Sequence, residues 1–139
     1  LKIIAYLLFC VFFSSSALAN ASIDLHCVGT LKTIRNVFES NTPSVQAEAY
    51  NFVVDKMGNW IISEDKEKIK RINKDKPSWE DWQFERIVSG DKASTTVFIF
   101  FDKTNLRITS RLRVTSDDLE SIRNFEGSCI PYINPFEKN

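Results

Sequence analysis

The side chains that could do chemistry are few. His26 is the only histidine, so a multi-histidine zinc site is excluded, and no HExxH helix is present. Serine-protease chemistry would need His26 as its base, yet no Gly-x-Ser-x-Gly elbow presents a nucleophile. Ser63-Glu64-Asp65-Lys66 has the Ser-x-x-Lys spacing of acylating serine enzymes. It lacks the Ser-Asp-Asn and Lys-Thr-Gly companions of that chemistry and reads as a helix cap. The carboxylates Glu80, Asp81 and Glu85 would need a cleft to drive their pKa values apart before acting as acid and base. Glycine occurs four times, at Gly29, Gly58, Gly90 and Gly127, with neither a phosphate-binding loop nor a calcium loop among them. The sequence therefore predicts a protein that is not an enzyme, with no catalytic residue, no cofactor and no metal.

Binding chemistry is better represented. Arg107, Arg111 and Arg113 lie on one face if their segment is a strand, with spacings of about 13 Å and about 6.6 Å. The guanidinium fork suits carboxylates and phosphates, so this row is a candidate binding face for an acidic protein or an anionic envelope polymer. Its competing role is to solvate the sheet, the arginine stems covering apolar surface and pairing with Glu85 or Asp91. Trp79 and Trp82 flank Glu80-Asp81 just after Pro77. They are candidate aromatic anchors for a partner or a sugar, or else core residues.

These groups must be held by a small scaffold. The chain has 139 residues with 18 basic and 18 acidic side chains, which suits one domain and gives no global field for nucleic acid. Residues 1–21 combine Lys2, an apolar run from Ile3 to Phe13, and small residues at Ala17-Leu18-Ala19 and Ala19-Asn20-Ala21. That is the order of a secretory signal cleaved after residue 19 or 21, and the apolar run is too short to span a membrane. Residues 22–139 then form a single β-rich domain with a short C-terminal tail. It retains Cys27 and Cys129, for which export makes a disulfide the default. Closing a loop of about 100 residues contributes up to about 4.7 kcal/mol in the chain-entropy view.

Alternation predicts strands at Ile23–Leu31, Val45–Asp55, Trp60–Ile62, Trp82–Val88, Ala93–Phe101 and Leu106–Val114. Turns fall at Asp55–Asn59, Ser89–Lys92 and Asp102–Asn105. The charged stretch Glu64–Lys76 reads as a solvated helix or a polar edge strand. After the N-cap signature Thr115-Ser116-Asp117-Asp118, the sequence suggests a turn or brief helix to about Ser121 and then a strand to Cys129. The expected fold is mostly β: a small antiparallel meander or barrel of six to eight strands, with one peripheral helix and the termini joined by the disulfide.

Cys27-Val28-Gly29, Val54-Asp55 with Gly58-Asn59-Trp60, Phe101–Leu106, and Gly127-Ser128-Cys129 with Pro135-Phe136 together resemble uncharacterised small exported bacterial β-domain proteins with terminal cysteines. Ile61 stands where such proteins often have a further cysteine. The resemblance implies a compact periplasmic β domain and carries over no catalytic residue. There is a broader similarity to small periplasmic β-barrel inhibitors of lysozyme, without a matching inhibitory loop. The functional expectation is noncatalytic binding in the cell envelope, periplasmic or secreted, of a protein or a small apolar ligand. The alternatives are an inhibitor of a secreted or host hydrolase such as lysozyme, and an enzyme of unrecognised type. An internal pocket would favour ligand binding, and a filled core with a projecting loop would favour inhibition.

Overall fold

Period-two alternation governs nearly every segment of the computed structural model, which describes residues 22–36, 42–63, 65–74 and 81–132. Eight strands form among these described residues: β1 (Ser22–Ile34), β2 (Ser44–Asp55), β3 (Trp60–Ile62), β4 (Lys68–Lys70), β5 (Asp81–Ser89), β6 (Ala93–Asp102), β7 (Arg107–Ser116) and β8 (Glu120–Pro131). All neighbours are antiparallel, in the order β4-β3-β2-β1-β8-β7-β6-β5. Two four-stranded meanders are thus joined along β1 and β8, and the sheet curls into a nearly closed barrel. In β1, Leu25, Cys27 and Leu31 are buried while Val28 and Lys32 face out. Phe52 and Val54 of β2, Phe84 of β5, Ile99 and Phe101 of β6 and Ile108 of β7 join them in one interior cluster. Each such side chain contributes about 1.5–3 kcal/mol by leaving water.

The β1–β8 ladder places Cys27 directly opposite Cys129, and the two form a disulfide across 102 residues of sequence. Gly29 faces Gly127 two residues further along. A Cβ on Gly29 would lie 1.9 Å from the Glu126 carbonyl oxygen, so only glycine permits this close approach of the two backbones.

One end of the barrel is plugged by Trp82, whose ring centroid lies 6.2 Å from that of Phe101. Gly58 turns the chain over this ring with φ 73°, where a Cβ would come within 2.6 Å of the indole. Asp55, itself buried, accepts the Asn59 amide at 2.9 Å and so fixes the same turn.

The barrel is completed where the segment after β4 meets β5. Arg71 and Phe84 form an isolated bridge, and the Ile72 amide donates to the Gln83 carbonyl at 2.8 Å. The Asn73 side chain substitutes for further ladder bonds: its Oδ1 accepts the Gln83 amide at 3.0 Å and its Nδ2 donates to the Asp81 carbonyl at 2.8 Å. Across the same seam Arg86 pairs with Glu67.

The expected peripheral helix is absent among the described residues: the charged stretch instead contributes an edge strand, and a turn rather than a helix precedes β8. Within the charged stretch, Lys68-Ile69-Lys70 forms β4, with Ile69 buried and both lysines exposed. Alternation about one isoleucine outweighs the i,i+4 spacing of Glu64 with Lys68 and of Glu67 with Arg71 in the sequence, since such helix pairs contribute only a few tenths of a kcal/mol. After the turn at Asp117–Leu119 the chain enters β8 at once. Leu119, Ile122 and Phe125, spaced every three residues as on a helix face, do not share a buried side: Leu119 is exposed and Phe125 is buried. Pairing with β1 on one side and β7 on the other satisfies this backbone on both edges. No helix among the described residues is long and apolar enough to cross a membrane. The proposed signal segment, 1–21, and most of the C-terminal tail lie outside the described residues.

Candidate binding cavity

Strand lengths decide where the interior is filled. β3 and β4 have three residues each, whereas β1, β2 and β8 have twelve or thirteen. The wall is therefore low on one side, and β2 before Val53 is paired only with β1 among the described residues. At the end away from Trp82 this leaves a cavity of about 300 Å³ whose walls include Leu31, Tyr50, Phe52, Val97, Leu112 and Phe125. An adjoining lobe of about 260 Å³ shares Ser63, Asp65, Val97 and Leu112, and reaches Arg86 and Val88 of β5. The first volume lies at the small end of the range for ligand sites.

The cavity wall is built outward from a glycine. A Cβ on Gly127 would lie 2.7 Å from the Phe125 ring, so its absence lets that ring fold over β8. Tyr50 packs edge-on against Phe125, with centroids 4.8 Å apart and planes at 78°, the favourable arrangement for two aromatic quadrupoles. The Tyr50 hydroxyl then accepts a hydrogen bond from Arg123 Nη2 at 3.3 Å. Arg123 stands opposite Leu112 and Thr33 in the ladders and lines the cavity with Tyr50 and Phe125. The result is a half-open cavity in which aromatic and aliphatic walls are joined by Ser63, Asp65, Ser110 and the Arg123 guanidinium.

The residues singled out in the sequence are distributed differently. Arg107, Arg111 and Arg113 alternate on the exposed face of β7, outside the barrel, and none lines the cavity. They are also individually engaged. Arg107 stands opposite Asp102, Arg111 Nε donates to Asn124 Oδ1 at 3.0 Å, and Arg113 forms an ion pair with the buried Glu120. Two of these partners are on β8, and Glu85, on β5, pairs instead opposite Phe98. Trp82 is buried at the plugged end, with Arg71 5.5 Å and Lys103 5.2 Å from its ring centroid. Burial lowers the Arg71 pKa from its ordinary value. Trp79 lies outside the described residues. His26 is on the outer face, its Nδ1 hydrogen-bonded to Asn51 at 2.8 Å.

Tyr50, Leu112 and Arg123 were not singled out as a site. Their signal was nonetheless present: extending the Phe125, Gly127, Cys129 alternation back by two residues puts Arg123 on the inward face.

Among the described residues, eight antiparallel strands in next-neighbour order, curled round a buried core, define a nearly closed up-and-down β-barrel with a half-open cavity at one end. No family model, curated protein or solved structure matches the chain.

Proposed function

We propose that the protein is an exported, noncatalytic binding module that holds a small, largely apolar ligand in the open half of its barrel. The observation that carries this reading is the chamber beside Leu31, Phe52, Val97, Leu112 and Phe125, which lies above an otherwise filled core. Apolar walls with a few polar groups at the rim are the ordinary composition of a small-molecule site. The inhibitor alternative asks for a projecting loop. The described connections β2–β3, β5–β6, β6–β7 and β7–β8 are instead short turns.

Titration with a neutral, environment-sensitive naphthylamine dye tests the reading. Saturable enhancement at one dye per chain is the expected result, with at least a roughly tenfold loss of affinity in Leu112→Trp, which fills the chamber. Absence of saturable binding, or equal binding by a folded Leu112→Trp protein, overturns it.

A further inference from the structure

We infer that the chamber is selective for an amphiphile with an anionic head, a carboxylate on an apolar body, and that Arg123 is the residue that recognises the head. This inference rests on the binding reading above and specifies its ligand class.

The argument begins with the charges around the open half. Two guanidinium groups line the two lobes, Arg123 and Arg86. Arg86 is already paired with Glu67. Arg123 makes no ion pair among the described residues; it donates to the neutral Tyr50 hydroxyl. A single bond through Nη2 leaves the remaining donors of the guanidinium fork for a ligand, and a carboxylate matches that fork with two parallel hydrogen bonds.

Position favours the same group. Tyr50 is held edge-on by Phe125, which is only 2% exposed. The hydroxyl that steadies Arg123 is thus anchored to the core, and part of the cost of ordering a long side chain is met before a ligand arrives. Below Arg123, Leu112, Val97 and Phe125 offer an apolar path for the body of such a molecule.

Two carboxylates weigh against an anion and fix where it would sit. Glu48 precedes Tyr50 by two residues on the same face of β2, but it accepts the Gln46 side-chain amide at 2.9 Å. Asp65 lines both lobes from the turn between β3 and β4. It would favour an amine head if the site selected cations. Arg123, in contrast, lies in a strand paired on both edges and is tied to Tyr50. The preorganised group is the cation, so the anionic head is the one chosen.

The test displaces the neutral dye with decanoate, decanol and decylamine, all below their aggregation limits. Wild-type protein should bind decanoate at least about tenfold more tightly than either of the others. The preference for decanoate over decanol should fall toward unity in Arg123→Gln, and should shrink partially in Tyr50→Phe, where the guanidinium loses its anchor. Rising salt should weaken decanoate and leave decanol little changed. Equal wild-type affinities for decanoate and decanol, or a preference for decylamine, overturn the inference while the binding reading stands. A decanoate preference that persists in folded Arg123→Gln assigns the head to another residue and also overturns it. If none of the ten-carbon compounds binds and the dye does not either, the binding reading itself falls. Should Arg123→Gln fail to fold, Arg123→Lys retains the charge without the fork and should bind decanoate several-fold more weakly than wild type; unchanged affinity there counts against bidentate recognition.

Discussion

Arg113 and Arg111 are two residues apart on the same exposed face, yet removing them should have unequal effects. Arg113 engages a Glu120 side chain that is only 8% exposed, while its own side chain is 54% exposed. Both Nε and Nη2 of Arg113 approach the same carboxylate oxygen. Arg113→Gln would leave that carboxylate withdrawn from water without its cation. The cost lies between that of a surface pair, at most about 1 kcal/mol, and that of a broken buried pair, about 3–5 kcal/mol. A half-exposed partner places it at about 1–3 kcal/mol, the range for a hydrogen bond to a charged group. Arg111→Gln loses one exposed bond to Asn124 and should cost about 0.5 kcal/mol or less. At about 4 °C per kcal/mol for a domain of this size, Tm should fall by about 4–12 °C for the first variant and by less than about 2 °C for the second. Thermal unfolding of the oxidised protein, followed by circular dichroism, measures both. Adding Glu120→Gln to Arg113→Gln should recover much of the loss, because a neutral amide is less costly to bury. Equal Tm values for the two single variants, or a further fall in the double variant, would refute the reasoning.

Three other outcomes follow from the same architecture. Phe84→Ala, at a fully buried position, should cost about 3–5 kcal/mol in denaturant unfolding, whereas Phe98→Ala, on the outer face of β6, should cost much less. Replacing both Cys27 and Cys129 with Ser should lower stability by about 2–5 kcal/mol without altering the far-ultraviolet β signature. Asp102 has its pKa held below the usual 3.8 by hydrogen bonds from the Asn105 backbone and side chain, with smaller help from Thr104 and Arg107. A depressed folded-state pKa stabilises above the unfolded value, and that contribution is lost as pH falls through the folded one. Asp102→Asn should therefore reduce Tm at pH 7 and leave it unchanged near pH 2, as paired melts at the two pH values would reveal.

Much of the barrel was legible in residue spacing because its strands have one wet face. The β6–β7 hairpin shows this most clearly, with Ile108 and the arginines already separated by alternation. The disulfide followed from having Cys27 and Cys129 near the two ends of the proposed mature chain. β4 was legible only as one of two alternatives, helix or polar edge strand, for a physical reason: a three-residue strand offers one inward side chain, Ile69, too little for periodicity to decide against surrounding charge. The chamber was hidden for a different one. It depends on the mismatch between short β3–β4 and long β1–β2, which is a property of the assembled sheet and has no local residue signature. The conspicuous arginine row drew attention to the outside, whereas Arg123 and Arg86 are the arginines that stand at the rim of the cavity.

The position of the disulfide has a consequence for a chain that is cut. Cys27 and Cys129 join the first meander to the second, while the polypeptide itself passes between them once, after β4. Any single break between the two cysteines leaves one covalent molecule. A nick after Lys74 would produce two four-stranded pieces that migrate together until reduced, with the β1–β8 ladder still in register. The first and last described strands of those pieces are neighbours, since the Tyr132 amide donates to the Asp24 carbonyl at 2.7 Å. The same topology thus admits a rearranged gene order, with new ends between Lys74 and Asp81 and a short linker joining Tyr132 to Ser22.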